Sequence, residues 1–250
     1  MIYWIIAVVA FFSEYLDSGL GMGYGTALAP ILILLGFDPI RVVPAILISQ
    51  LVTDIAACFS HHRMYNVNLK PGSQDFKAAT LLGLMSVIGV ASSVMIAIKI
   101  PKQVLTTYIG ALVLTMGAIV LSTIKHPMQF SWRKLLGISL LASFNKGISG
   151  GGYGPLVMGG QMLSGVPVKN AVGITAFAEA ITCLIGFALY VFSGKFIDWK
   201  LTGTLVLFAT GAVPVAAMTV KHIHAAPLKK YAGILMLLLG LLTLLKVAAG

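Results

Sequence analysis

The chain has 250 residues, of which 58% are apolar and only 10% are charged, and its formal net charge is +10. A soluble domain carries roughly 25% charged residues, and a soluble fold of this size could not hide so much apolar surface from water. The composition therefore predicts a multi-pass membrane protein. The basic residues form no stripe with interleaved aromatics, which argues against nucleic-acid binding and favours helix ends anchored at lipid headgroups.

The apolar segments follow one another in the same order twice, as two short runs and then three long ones. The short runs are Ile2–Phe12, Thr26–Phe37, Leu135–Phe144 and Pro155–Leu163. The long runs are Val42–Phe59, Ala78–Ile98, Val104–Ile124, Ala171–Phe192, Leu201–Val220 and Tyr231–Leu245. Because roughly 20 apolar residues cross a bilayer as a helix, each long run is predicted to be a transmembrane helix.

A glycine-rich break separates the two short runs of each set. Residues 17–25 read DSGLGMGYG and residues 146–154 read KGISGGGYG. Superposing them gives an offset of 129 residues, which also pairs Gln50 with Glu179 and Thr53 with Thr182. Such a repeat predicts two membrane halves, residues 1–125 and 126–250, within one transmembrane domain.

The predicted fold is an all-α integral membrane protein built from two inverted repeats. Each repeat has a glycine-broken or re-entrant helix pair and three transmembrane helices. The number of crossings is odd if both members of the pair cross or if neither does, and this parity fails if only one of them crosses. Halves with an odd number of crossings have opposite orientations, as in many transporters. A slight excess of lysine and arginine in the loops at 61–77, 125–134 and 221–230 predicts that this side is cytoplasmic and that both termini lie outside.

The two breaks are predicted to bind a small anion. Unwound backbone at membrane depth is tolerated only where it is buried in protein or lines a cavity, and a helix that begins after a break aims its free N–H groups at an anion. The alternative is close helix packing through small residues. The predicted substrate-binding residues are Gly21, Gly23, Tyr24, Gly25, Gln50, Asn145, Lys146, Gly150, Gly151, Gly152, Tyr153, Gly154 and Thr175.

Charged residues beside the breaks are expected to be functional because they are costly in lipid. Lys146 could balance an anionic substrate, although its repeat equivalent Asp17 could instead be its partner in a structural pair. Glu179 lies inside an apolar run and is predicted to bind and release a coupling proton. Further candidates for this coupling are Asp17, Asp54 and Glu14.

Two matched polar helix faces accompany these charges. They consist of Gln50, Thr53 and Asp54 in one half and of Thr175, Glu179 and Thr182 in the other. Such spacings place each set on one side of a helix. The faces fit a site at the midplane of the membrane, whereas the alternative is hydrogen bonding between helices.

The doubled break, with Ala29-Pro30 in the run after the first copy and Ser149-Gly-Gly-Gly-Tyr-Gly154 as the second, resembles the TauE/SafE sulfite exporter family. The resemblance covers nearly the whole chain, but Met22 and Tyr24 interrupt the first glycine run. It implies a transporter of sulfite, sulfonates or other small organic or sulfur-containing anions. It also implies the inner (cytoplasmic) membrane of a bacterium or archaeon. The resemblance does not fix the direction of transport; we expect export, and Glu179 is the reason to expect coupling to protons. The identity of the anion stays open, as does the formation of a homodimer.

Other functional classes find less support in the sequence. A membrane thiol–disulfide carrier could use Cys58 and Cys183, but these are not at equivalent repeat positions and neither belongs to a C-x-x-C motif. An anion channel could use the same breaks and helix dipoles. A hydrolase would need a nucleophile elbow or metal-ligand spacing, which the chain lacks. We therefore expect no enzyme activity, no cofactor and no metal.

Overall fold

The computed structural model describes residues 2–122, 132–163, 166–219 and 225–249, and every regular element in these ranges is an α-helix. The predicted boundary between the halves, at 125/126, lies outside the described residues, as does much of the two basic loops beyond position 122. The helices are α1 (Ile2–Leu20), α2 (Tyr24–Leu34), α3 (Pro39–Arg63), α4 (Gln74–Ala97), α5 (Lys102–Ser122), α6 (Trp132–Ser149), α7 (Tyr153–Leu163), α8 (Val168–Phe192), α9 (Trp199–Thr219) and α10 (Ala225–Ala248).

Seven of the described helices are long and apolar enough to cross a membrane, namely α1, α3, α4, α5, α8, α9 and α10. The helices that follow the two breaks are different, because α2 and α7 have only 11 residues each. At 1.5 Å per residue each is about 16 Å long, which is about half of a hydrocarbon core of about 30 Å. The prediction of an all-helical, multi-pass membrane protein is confirmed.

Helices α1 and α2 form a hairpin whose tip is the first break. The ring of Tyr3, at the start of α1, packs edge-on at 6.5 Å against the ring of Phe37, just after α2. The chain therefore turns back at the glycines. Its long arm continues to Leu20, far beyond the predicted end at Phe12. In lipid each backbone group must be hydrogen-bonded within its own segment, so the helix continues through polar residues and buries their side chains in protein.

The second hairpin shows the same correction, because α6 continues to Ser149 rather than ending at Phe144. Each break is thereby shorter than the sequence predicted and spans only residues 21–23 or 150–152. As a consequence Asp17 and Lys146 belong to the last turns of α1 and α6. Their side chains are fixed by a helix instead of lying on unwound chain.

The packing interleaves the two predicted halves. Helix α1 packs on α9, α4 on α6, α3 on α8 and α5 on α10, and every one of these pairs joins helices from different halves. Helices α3 and α8, with 25 residues each, pack against each other and carry Gln50 and Glu179 near their midpoints. The core therefore places the polar faces between the halves. The inverted orientation of the halves stays a prediction.

Candidate functional site

The two glycine breaks touch each other. A Cβ atom on Gly25 would overlap the carbonyl of Gly150, and one on Gly154 would overlap the carbonyl of Gly21. Positive φ angles, which favour glycine, occur in both breaks, at Gly21 (68°), Gly23 (134°), Gly150 (76°) and Gly152 (81°). Close main-chain packing is therefore one role of these glycines, and the predicted contact with substrate stays a prediction.

Side chains of the protein already bond several of the amides that an anion would use. Asp17 Oδ1 accepts the N–H of Tyr24, 3.3 Å away at the start of α2, so a carboxylate occupies an anion position there. In the other break Thr26 Oγ1 accepts the N–H of Gly152 (3.0 Å) and Ser149 Oγ accepts that of Gly151 (3.1 Å). The breaks are closed in this conformation.

A buried ion pair lies between the hairpins and the middle of α8. Lys146 Nζ is 2.7 Å from Glu179 Oε1, and the two side chains are 1% and 4% exposed. Lys146 Nζ also donates a hydrogen bond to Gln50 Oε1. The Gln50 amide in turn donates from Nε2 to Glu179 Oε1 (3.0 Å) and Asp17 Oδ2 (3.1 Å). Since the amide both accepts and donates, it links the lysine to both acids.

These contacts correct one alternative from the sequence. The ion-pair partner of Lys146 is Glu179, whereas Asp17 bonds to Gln50. The two pairs, Asp17 with Gln50 and Lys146 with Glu179, occupy equivalent positions in the repeat. Gln50 and Glu179, which are 129 residues apart, also bond to each other. Contact between equivalent residues is expected close to an axis that relates two repeats, so this hydrogen bond fits the predicted repeat.

Three carboxyl groups meet beside this pair. One oxygen atom from each of Asp17, Asp54 and Glu179 lies within 4.8 Å of the other two. Such a group of carboxyl oxygens could hold a cation, and the Lys146 ammonium already lies against the Glu179 carboxyl group. Asp54 is contacted by the thiol of Cys183 at 4.0 Å. We refer to Asp17, Gln50, Asp54, Lys146 and Glu179 as the central cluster.

A small cavity of about 10 Å³ borders the central cluster, which is about the space of one water molecule. It is lined by Asp17, Ser18, Gly21, Asp54, Ala57, Val172, Thr175, Ala176 and Glu179. Glu14, one turn before Ser18 on α1, is also buried, and it accepts a hydrogen bond of 2.6 Å from the Ser18 hydroxyl. Among the side chains that the structure describes, Lys146 is the one buried lysine or arginine, whereas four carboxyl groups are buried, those of Glu14, Asp17, Asp54 and Glu179.

The structure brings some predicted substrate residues together and separates others. Gln50 and Lys146 belong to the central cluster, and Thr175 lines the cavity and accepts a hydrogen bond from Gln161 (2.8 Å). Asn145 lies apart, because its Oδ1 accepts the hydroxyl of Tyr108 on α5 (2.7 Å). Tyr153 is buried among apolar side chains that include Val67 and Ile174.

Sequence reasoning missed two residues that hold the ends of the broken helices. His61 was expected in a basic loop, but α3 includes it, and its Nε2 lies 2.9 Å from the carbonyl oxygen of Ser18. Tyr190 donates its hydroxyl to the carbonyl of Gly147 over 3.1 Å. Each side chain lies 43 residues after the carbonyl that it bonds. Such carbonyls lose their helical partner where a helix ends. The offset of 129 residues relates His61 to Tyr190 and Ser18 to Gly147, and it is the sequence signal that could have identified this pair.

Comparison with known proteins fits this architecture. The family model described as "Sulfite exporter TauE/SafE" matches residues 6–243. A curated protein of Bacillus subtilis (strain 168), "Probable membrane transporter protein YtnM", is 24% identical over 233 residues, which cover 88% of this chain and 75% of that protein. No solved structure matches the chain.

Proposed function

Because this chain belongs to the TauE/SafE sulfite exporter family and is a multi-pass protein of the inner membrane, we propose that it exports a small sulfur-containing or organic anion together with a proton. The observation that carries the proposal is the pairing of buried Lys146 with Glu179 at the contact between the two hairpins. A lysine at this depth needs an anionic partner, and a substrate anion can replace the carboxylate.

The central cluster suits a small anion because it offers one full positive charge and directional donors. Lys146 supplies the charge, and Gln50 supplies an amide N–H pair that now bonds Asp17 and Glu179. Separation of the two breaks would free the main-chain N–H group of Gly152, which presently bonds to the Thr26 hydroxyl of the other hairpin. Sulfite, sulfonates and small carboxylates all carry the oxygen acceptors that such donors bind.

Glu179 couples the anion to a proton through competition for Lys146. When Glu179 is ionised it pairs with the lysine, and when it takes up a proton the lysine is released to the substrate. Both arrangements contain one positive and one negative charge, so a monovalent anion and its proton move together without net charge.

The direction of such a carrier follows from the gradients of the anion and of the proton, because the membrane potential does not act on a neutral cycle. Export is expected when the anion accumulates inside the cell. The site between two repeats near the midpoints of α3 and α8 suits alternating access, in which one repeat moves against the other around a fixed site.

The test is a panel of uptake measurements in liposomes that contain the purified protein. Sulfite, methanesulfonate, sulfate and acetate would be compared under imposed proton and sodium gradients. We expect saturable uptake, counterflow, and loss of binding in Lys146→Met. Flux that neither saturates nor shows counterflow would indicate an anion channel instead. Wild-type affinity in Lys146→Met would overturn the role of the lysine.

A further inference from the structure

A second, larger pocket opens where α3 ends, at one face of the molecule. Its volume is about 510 Å³. Four basic residues line it, His62, Arg63, Lys70 and Lys169, together with a single acid, Asp75. The Asp75 carboxylate already accepts the main-chain N–H of Asn68 (2.9 Å) and the side-chain amide of Asn170 (3.0 Å). The pocket therefore presents a surplus of positive charge to solvent, which concentrates small anions at its mouth.

Two neighbouring residues that line this pocket, Asn66 and Val67, are buried. Val67 is buried and packs into the notch left by Gly173, where a Cβ atom would overlap it. The residue before Gly173, Val172, lines the inner cavity together with Ala176. A displacement of Val67 would therefore bring the pocket and the cavity closer together on this side.

Asn66 also connects this part of the pocket to the first break through hydrogen bonds. Its Nδ2 bonds the carbonyl of Ala217 on α9 (3.1 Å) and lies 3.0 Å from His61 Nδ1. Because an amide nitrogen only donates, His61 Nδ1 accepts, which leaves the proton on Nε2 for the carbonyl of Ser18. Ser18 itself lines the inner cavity. A movement of Asn66 is thus transmitted through His61 to the end of α1.

Two features of residues 65–67 lower the free energy needed to displace them. Tyr65 has a φ of 58°, a left-handed conformation that is rare for a residue with a bulky side chain, and it is 87% exposed. The Oδ1 atom of Asn66 is buried and has no hydrogen-bond partner among the described residues. A strained backbone and an unpaired buried acceptor both favour release of the closed arrangement.

We propose that residues 65–67 form the gate between the central cluster and one side of the membrane, and that the basic pocket outside is the vestibule in which a small anion collects. This is the side that the charge distribution predicts to be cytoplasmic, where an exporter takes up its substrate. The inference rests on the proposed transport function, but the opening of the gate can be measured without any transport.

The test uses a cysteine reporter in the inner cavity. Ala176→Cys is introduced into a background of Cys58→Ala and Cys183→Ala, and its modification by a small anionic methanethiosulfonate is timed in membranes. We expect Val67→Ala and Asn66→Ala each to accelerate labelling at least tenfold. Tyr65→Gly removes the strain and is expected to slow labelling, a change that misfolding would not produce. Gln103→Ala is the control, because it lies in a pocket near Lys246 beside the start of α3, at the opposite end of that helix from the vestibule.

The vestibule is tested by the ratio of labelling rates for an anionic and a cationic reagent of similar size. Arg63→Gln and Lys169→Gln should each lower this ratio several-fold at low salt, whereas Lys102→Gln, in that opposite pocket, should not. An unchanged labelling rate in both gate variants would overturn the gate, and an unchanged ratio would overturn the vestibule. If labelling responds as expected while no anion is transported, the gate stands and the proposed function fails.

Discussion

The buried pair of Lys146 and Glu179 allows a prediction in which structural and functional effects can be separated. Lys146→Met removes the ammonium but keeps a side chain of similar length, and it leaves the Glu179 carboxylate buried with the Gln50 amide as its remaining hydrogen-bond donor among these contacts. Removing one partner of a buried ion pair costs about 3–5 kcal/mol. For a chain of this size each kcal/mol lowers the melting temperature by roughly 2–4 °C, so a loss of roughly 6–20 °C is expected in detergent.

The double variant Lys146→Met/Glu179→Gln removes both charges. Replacing a whole buried pair by neutral side chains of similar volume is often neutral, so we expect most of the lost melting temperature to return. The binding of anion should not return, because no ammonium is present. As a control, Lys102→Met breaks an exposed pair with Asp38 at 3.9 Å, which is worth at most about 1 kcal/mol. Additive losses in the double variant would refute the pairing of Lys146 with Glu179.

Three further predictions concern the breaks and the cysteines. Gly154→Ala should abolish folded protein in detergent, since the added Cβ would overlap the carbonyl of Gly21. Gly203→Ala should be tolerated, because the space around Gly203 is open. Similar yields of the two variants would contradict this prediction. Tyr190→Phe leaves the carbonyl of Gly147 unpaired and should lower the free energy of unfolding by about 1–3 kcal/mol. Tyr15→Phe, which loses only a bond to Thr219, should lower it less. Equal losses would argue against a role of Tyr190 in capping the end of α6. Replacing Cys58 and Cys183 by alanine should preserve anion flux, while complete loss of activity would favour a thiol–disulfide carrier.

The position of the two polar side chains inside long apolar helices could be predicted from the sequence because a polar residue interrupts the hydrophobicity of a run. Gln50 and Glu179 interrupt apolar runs at the same place in each half, and the structure joins them by a hydrogen bond. The fold class follows from composition, since a chain so poor in charge requires lipid around it. These features depend on local composition and on self-similarity, which are visible without any knowledge of packing.

The ends of the helices and the partners of the charges were less predictable. A hydrophobic run indicates where side chains contact lipid, but α1 and α6 continue through polar residues that are buried by neighbouring helices. The choice of Glu179 as the partner of Lys146 depends on how α8 lies against α6, which no spacing reveals. The contact between the two breaks was likewise hidden, since a glycine that packs and a glycine that binds have the same appearance in a sequence.

His61 shows how a buried position can be concealed by its neighbours in the sequence. It stands beside another histidine and an arginine at the end of an apolar run, which suggested a basic loop. In the structure it is fully buried and bonds the carbonyl of Ser18. Only the equivalence with Tyr190, at the repeat offset, distinguishes it from a solvent-exposed histidine.

The most direct test of the central claim is to measure anion and proton movement in the same liposomes. Methanesulfonate is the substrate of choice because its charge does not change with pH. We predict one proton per anion, flux that rises as the pH falls, and no response to an imposed membrane potential. In Glu179→Gln the proton movement should vanish and the remaining anion flux should respond to the potential. Wild-type flux that carries no protons and follows the membrane potential would contradict the exchange of Glu179 for the substrate at Lys146.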